Sequence, residues 1–328
     1  MKLAVISTSR IVDEFLANLG DMPQIEVAAL CCRPQSAPKA EAWAAQYGIG
    51  RVCTDEAALL AEGGFGAVYI GTANHLHHST AKRVLAAGYH VILEKPFTAT
   101  AAEARELFAL ADSKGVMIFE AITTPYLPEY AFLQQELPKI GPVRGVMASF
   151  CARTRRYDDY LAGIWNTTFD PACSGGALYD MNVYNLHYLW GLLGMPERCE
   201  YFPSRGANGV DTAGLAVLHY PGFSAACLAA KDSESAQGCT IQGPGGCLTV
   251  GGGTNALPAV YSVLGGVRGS GARTDGPRKT RHRMAYEFDA FARMIAENDR
   301  AGEAEARRRT LAVMEMIDQL RRSAGETV

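Results

Sequence analysis

Tyr89-His90-Val91-Ile92-Leu93-Glu94-Lys95-Pro96 is an apolar run that ends in a charged pair and a proline. Pro96 cannot donate to a sheet ladder and holds Lys95 in extended geometry, so the run reads as a buried strand stopped at Glu94-Lys95. In an open parallel sheet, ligands bind beyond the carboxyl ends of the strands, and an ammonium group delivered there stands where a reacting group belongs. The other reading of the same residues is a surface lysine after an edge strand.

Residues 1–120 alternate short apolar runs with helical patterns, the signature of βα units and a parallel sheet. Strands are predicted at 3–6, 26–31, 67–70, 90–93 and 116–119. Amphipathic stretches at 40–47, 76–87 and 101–114 lie between them, and Gly88 and Gly115 stop the last two. After Glu120 the texture changes. Pro125, Pro128, Pro138 and Pro142 punctuate a short helix, and alternating runs at 143–150, 214–220 and 224–230 read as strands with one exposed or partner-covered face. A helix is expected within 175–193, and two more at 285–297 and 304–322. The glycine-rich, basic stretch 265–283, with Arg268, Arg273, Arg278, Lys279, Arg281 and Arg283, reads as a mobile solvated loop. The expected class is therefore α/β: a doubly wound Rossmann domain over 1–121, then an α+β domain over 122–328 with an open, largely antiparallel sheet for substrate binding and oligomerisation.

Bulk properties exclude several functions. The 328 residues suffice for two cores, and 48% hydrophobic with 20% charged residues is ordinary globular composition. A net charge of −3 points away from nucleic acid and from anionic membranes, and no apolar run approaches the length of a membrane span. The start lacks the apolar core of a signal peptide. Nine cysteines, an odd number with no CxxC pair, sit in mostly apolar contexts, the usage of reduced thiols in a cytoplasm.

A dinucleotide fold turns out of its first strand through G-x-G-x-x-G so that backbone can approach a pyrophosphate. Here the positions read Ser7-Thr8-Ser9-Arg10-Ile11-Val12, with no glycine. Their hydroxyls, with the charge of Arg10, could meet phosphate oxygens; the alternative is that phosphate binding is lost. The second strand ends in Cys32-Arg33 instead of the carboxylate that holds an NAD ribose, so a 2′-phosphate would be welcome beside Arg33. NADP(H) is favoured and NAD(H) remains possible.

Three further stretches join the Glu94-Lys95-Pro96 turn: Gly71-Thr72-Ala73-Asn74-His75-Leu76-His77, Glu120-Ala121 with Tyr126 and Pro128, and Gly175-Gly176-Ala177-Leu178-Tyr179-Asp180-Met181-Asn182-Val183-Tyr184. Together they resemble the glucose-fructose oxidoreductase / inositol dehydrogenase (Gfo/Idh/MocA) family, and within it the dimeric dihydrodiol dehydrogenase and xylose dehydrogenase branch. The resemblance implies reversible hydride transfer between a nicotinamide and a carbon bearing a hydroxyl, commonly on a sugar or polyol. It also implies a homodimer or homotetramer built through the C-terminal sheet. It places Lys95 by the nicotinamide, often beside a cis proline here matched by Pro96, with Glu94 before it. Thr72, Asn74 and His75 would lie along the nicotinamide half of the cofactor. Asp180 and Tyr184 match a D-x-x-x-H/Y motif. Tyr126 and His187 are candidate substrate contacts. The chain departs from the branch at Pro125, where arginine is usual, at Asn182, where glycine is usual, and at 166–171, which lacks a common arginine.

The residues support this chemistry on their own. Asp180 and Tyr184 are four apart on a predicted helix and share a face. Taking a hydride from a secondary alcohol requires its hydroxyl proton to leave too, hence a general base. A tyrosine titrates too high for that at neutrality unless an ammonium such as Lys95 favours phenolate. Asp180 would orient substrate hydroxyls or hold Lys95. Arg155 and Trp165, among Arg153-Thr154-Arg155-Arg156-Tyr157 and Tyr160, could line a sugar site or belong to a solvated basic loop. His75, His77 and His78 lack a supporting cysteine or carboxylate, so no metal is expected. Two rivals remain: a hydrolase that oxidises a sugar transiently on bound nicotinamide, and a non-catalytic nucleotide sensor.

Overall fold

The computed structural model describes residues 1–266 and 270–328. Two compact units are present, one of Met1–Ala121 with Arg281–Leu311, the other of Ile122–Thr280 with Ala312–Val328.

The first unit holds a six-stranded sheet of β1 (Lys2–Ile6), β2 (Glu26–Cys31), β3 (Val52–Cys53), β4 (Ala67–Ile70), β5 (His90–Glu94) and β6 (Ile118–Ala121). Their order is β3-β2-β1-β4-β5-β6 and every pairing is parallel. All four residues of β4 are fully buried, as are Leu3, Ala4 and Val5 of β1, because helices cover both faces of such a sheet. The connecting helices are α1 (Arg10–Ala17), α2 (Ala37–Tyr47), α3 (Glu56–Glu62), α4 (His77–Ala86) and α5 (Ala101–Lys114). The strand order reverses between β1 and β4, and the crevice above that switch is where such sheets bind ligands.

The second unit holds α6 (Pro128–Glu136), α7 (Arg156–Leu161) and α8 (Val183–Leu193). Its sheet contains β7 (Gly145–Cys151), β8 (Arg198–Arg205), β9 (Asp211–Tyr220), β10 (Phe223–Ala230), β11 (Gly238–Gly243), β12 (Gly246–Gly251), β13 (Val260–Leu264) and β14 (Ala272–Asp275). The order is β14-β13-β12-β11-β7-β10-β9-β8, antiparallel except for β7 beside β10. Buried and partly exposed residues alternate without exception along β9, so one face packs inward and the other is open.

Two expectations are corrected here. Residues 281–311 belong to the first unit, not to a second domain running unbroken from 122 to 328. The reason is aromatic packing from α9 (Arg283–Glu297): Phe288 meets Phe15 at 4.6 Å and Tyr69 at 5.2 Å, and Phe291 stacks on Phe119 at 4.9 Å. Early in α10 (Arg300–Ser323), buried Glu303 accepts the Ile118 N–H. Stretch 265–283 is also not a free loop. β14 pairs with β13, Lys279 is tied to the buried Glu129 carboxylate at 3.3 Å, and the Arg281 guanidinium meets Asp289 at 2.6 Å. Arg268 lies outside the described residues.

The start of the helical segment that carries Asp180 is built on Asp211. Its Oδ2 accepts the Leu178 N–H at 2.7 Å and the Tyr201 hydroxyl at 2.6 Å. Gly176 has φ +113 and passes so close that a Cβ there would stand 1.8 Å from Asp211 Oδ1, so only glycine fits. Residues Leu178–Asn182 form a π-helical turn that runs directly into α8. Burial raises the Asp211 carboxyl from 3.8 to about 6, against the opposing pull of those two hydrogen bonds. The unfolded chain releases this proton near pH 4 and the folded chain only near pH 6, so stability falls as pH rises across that window and is level above it. In urea unfolding at a series of pH values, we expect the wild type to lose about 3 kcal/mol relative to Asp211→Asn between pH 4 and pH 7.

Candidate active site

At the β1/β4 switch the missing glycines have been replaced by strain and hydroxyls. Ser7 adopts φ +136, a backbone region costing roughly 1–3 kcal/mol for a residue with a side chain, and its Oγ accepts the Ser9 N–H at 3.0 Å. Ser9 is the N-cap of α1, but its hydroxyl makes no capping bond. The Ser9 Oγ and the Thr72 Oγ1 are both buried and lack a hydrogen-bond partner among the described residues. Gly71, at the end of β4, packs so tightly on α1 that a Cβ would lie 2.8 Å from Val12 Cγ2 and 3.4 Å from Ser9 Oγ. One of these hydroxyls stands in the turn after β1 and the other in the loop after β4, on the two sides of the switch, and buried polar groups of that kind call for a partner. The residues fit the cofactor. Arg10 and Arg33 are exposed nearby in sequence, Arg10 opening α1 and Arg33 two residues beyond β2. Thr8 lends its carbonyl to Lys39 at 2.9 Å, and Ile11 lies in the first turn of α1.

The Lys95–Pro96 peptide is cis and is held from three sides. Buried Glu94 takes the Tyr69 hydroxyl on one oxygen at 2.7 Å and the Lys95 N–H on the other at 3.2 Å. Buried Glu120 takes the Phe97 N–H at 3.1 Å and the Thr310 hydroxyl at 2.8 Å. His77, fully buried, places Nδ1 2.8 Å from the Pro96 carbonyl and Nε2 3.1 Å from the Thr72 carbonyl. It is therefore a tie bar between the β4 loop and the Lys95 turn. Burial lowers its pKa and the two carbonyls pull it back up. A neutral ring has one N–H for these two acceptors, whereas an imidazolium would serve both. Behind the turn, burial raises the carboxyl of Glu94, an effect that Tyr69 and Lys95 oppose, while Glu287 is pushed well above the usual range by burial and then by the Glu94 charge. Arg283 opposes both shifts and is itself paired with Glu14 at 2.7 Å. Lys95 is half-buried.

Asn74 and His75 lie in a short 3₁₀ turn, with His75 exposed. His78 pairs with Glu106 at 2.9 Å, and no group of three His, Cys, Asp or Glu able to hold a metal occurs among the described residues.

In the second unit, Asp180 is 31% exposed, and its Oδ2 lies 3.0 Å from Nζ of Lys231, a fully buried lysine. Asp180 thus has a partner that the sequence reading did not supply. Tyr184 is buried, with its ring edge-on to Phe150 at 5.7 Å. Asn182 donates to the Cys227 carbonyl at 3.0 Å and accepts from Asn185, which in turn accepts from Thr254, so the residue replacing the expected glycine anchors the helix to β10. His187, expected at the substrate, has no exposed surface, so a substrate atom has no route to it in this arrangement. Tyr126 is half-buried in the 3₁₀ turn Thr124–Tyr126. Arg155 is exposed at the start of α7, and Trp165 is 69% exposed with its indole N–H on Asp170 at 2.7 Å. Thus Glu94, Lys95, Pro96 and Thr72 are brought together in the first unit, and Asp180 and Tyr184 lie on one helical segment of the second.

The residues missed were His77, Glu120 and Lys231. Lys231 had a legible signal, since it closes an apolar strand just as Lys95 does. For the strained turn, Ser7→Gly removes the positive-φ penalty and loses one local hydrogen bond. We expect it to raise unfolding free energy by roughly 1 kcal/mol, read by thermal or urea denaturation.

Residues 1–122 match an oxidoreductase family with an NAD-binding Rossmann fold, and residues 138–249 match the GFO/IDH/MocA C-terminal domain. The chain is 30% identical over 325 residues to the NADP(+)-dependent scyllo-inositol 2-dehydrogenase IolU of Bacillus subtilis, covering 99% of this chain and 97% of that one. It is 29% identical over 226 residues to the trans-1,2-dihydrobenzene-1,2-diol dehydrogenase of Sus scrofa, 68% of this chain and 65% of that one. The fold is shared with a 3-ketoreductase from Actinomadura kijaniata solved with NADP and TDP-benzene, at TM-score 0.85 and 22% identity over 98% of this chain and 97% of that one. Matches to both characteristic domains, and a relative aligned along almost the whole length, make this chain a member of the GFO/IDH/MocA family of oxidoreductases.

Proposed function

We propose that the protein is an NADP(H)-preferring oxidoreductase acting on a secondary alcohol or ketone of a sugar, polyol or related compound. The observation that carries this reading is the Lys95–Pro96 turn at the end of β5, pinned by His77 to the same Thr72 whose hydroxyl lacks a partner among the described residues. Arg33, with no carboxylate at the end of β2, supports a 2′-phosphate, as does the likeness to an NADP(+)-dependent scyllo-inositol dehydrogenase.

Nicotinamide, when bound, supplies the hydride acceptor or donor. The protein's own task is the proton. Tyr184 takes the hydroxyl proton during oxidation and returns it during reduction, and Lys95 stabilises the negative charge that develops on oxygen. Asp180 orients substrate hydroxyls. Trp165 offers an exposed aromatic face and Arg155 a charged donor to a polyhydroxylated ligand.

The nine cysteines are all free thiols, which suits a reducing cytoplasm. Among the described residues, no helix is long and apolar enough to cross a membrane.

We further propose a homo-oligomer built through the open sheet face. Phe202, Leu215 and Leu228 lie in one cross-strand row, with Phe202 59% and Leu228 40% exposed, and Met147 on β7 is 68% exposed. An apolar surface of this kind marks an interface. Light scattering on purified protein should report a dimer or tetramer that Leu228→Lys drives toward monomer; a monomeric wild type overturns this.

For the chemistry, a sugar, polyol and keto-sugar panel followed at the reduced-cofactor absorbance should yield NADP(H)-linked turnover. Lys95→Met and Tyr184→Phe should each lower kcat by about 10²–10⁴ while Tyr184→Phe leaves NADPH binding within about threefold. Loss of NADPH binding in the wild type, or full activity in both variants, overturns the reading.

A further inference from the structure

The Lys231 side chain is as enclosed as any aliphatic core residue, yet it carries an ammonium. Nζ donates to the Thr168 carbonyl at 2.7 Å, stands 3.0 Å from Asp180 Oδ2, and lies 4.6 Å from the centre of the Phe169 ring. Taking an ammonium out of water costs several kcal/mol, which a single ion pair with a partly solvated carboxylate does not return in full. The arrangement is poor as a device for stability. Its geometry is restrictive, however. The Lys231 N–H bonds to Thr212 O at 2.8 Å and its carbonyl accepts the Thr154 N–H at 2.9 Å, so the residue is anchored at the end of β10 before its side chain begins. The Thr168 carbonyl takes the Gly176 N–H at 3.1 Å as well as the ammonium, which joins segment 165–170 to the turn that opens the Asp180 helix. An exposed aspartate would sample several rotamers. This one is held on its inner side while a third of its surface stays open.

We infer that Lys231 is a positioning residue for the reaction, one that fixes the Asp180 side chain in a single orientation toward substrate and holds segment 165–170 beside it. The inference rests on the role proposed above for Asp180. Lys231 acts through Asp180 and touches no reacting atom.

A double-mutant comparison tests it, using Lys231→Met, Lys231→Arg, Asp180→Asn and the Lys231→Met/Asp180→Asn pair, with kcat and KM for the best panel substrate and the NADPH dissociation constant measured for each. Lys231→Met should lower kcat/KM about 10–100-fold, the usual effect of removing an orienting partner, with NADPH affinity unchanged. Lys231→Arg should recover part of the loss. In the Asp180→Asn background the same change should cost less than about twofold, because the orientation to be lost is already gone. Wild-type kcat/KM in Lys231→Met, or equal losses in both backgrounds, overturns the inference and leaves the reading of Asp180 intact. Full activity in Asp180→Asn is a different outcome: it removes the proposed role of Asp180 and takes the inference with it. Should Lys231→Met yield no folded protein, Lys231→Gln removes the charge and, one bond shorter, cannot hold both the Thr168 carbonyl and the Asp180 carboxylate, and the same criteria apply.

Discussion

A carboxylate buried at the end of a strand is the constraint from which the first unit is organised. Glu94 cannot be solvated, so each of its oxygens must find a donor, and the two it finds are the phenol of Tyr69 and the backbone of Lys95. Satisfying Glu94 therefore also shapes the chain that follows it. Glu120 does the same for Phe97 from the neighbouring strand, and His77 for Pro96 from α4. Buried polar networks are costly when partly satisfied and rigid when satisfied. Here the rigidity is spent on holding a lysine at the mouth of a parallel sheet.

The second unit solves a related problem with opposite charge. β10 ends in a buried lysine whose partners are a carbonyl and an aspartate, and the helix bearing that aspartate begins against another enclosed carboxylate, Asp211. Each sheet thus closes a strand with a lysine and fixes the adjoining segment by hydrogen bonds to backbone. Gly176 is part of the same arrangement, because its missing Cβ is what lets Asp211 reach the Leu178 N–H.

Much of this was legible. Strand runs in the first unit are uniformly apolar, so β1, β2, β4 and β5 emerge from periodicity, and Lys95 stands out because a charge after such a run is abrupt. β3 is two residues long and has no period to read, and β11 and β12 carry glycines at their ends that mask strand character. Three histidines within four positions cannot be ranked until the phase of α4 is known, and only His77 turns inward. The glycine-free turn left two readings open, hydroxyls that meet phosphate or a lost phosphate site, because letters do not show that Ser7 adopts a glycine-like φ. Amphipathicity announced α9 without saying which sheet it covers, which is why 281–311 was assigned to the wrong unit. The resemblance carried the roles of Asp180 and Tyr184 but did not supply Lys231.

The placement of α9 has a consequence for synthesis. Phe15, Tyr69 and Phe119 leave the ribosome more than 160 residues before Phe288 and Phe291, the aromatic rings that cover them. The first unit cannot complete its core during translation until Phe288 and Phe291 have been made. Its half-built sheet must wait with an aromatic face uncovered, which makes the nascent chain, rather than the finished enzyme, the state most exposed to misassociation and to chaperones.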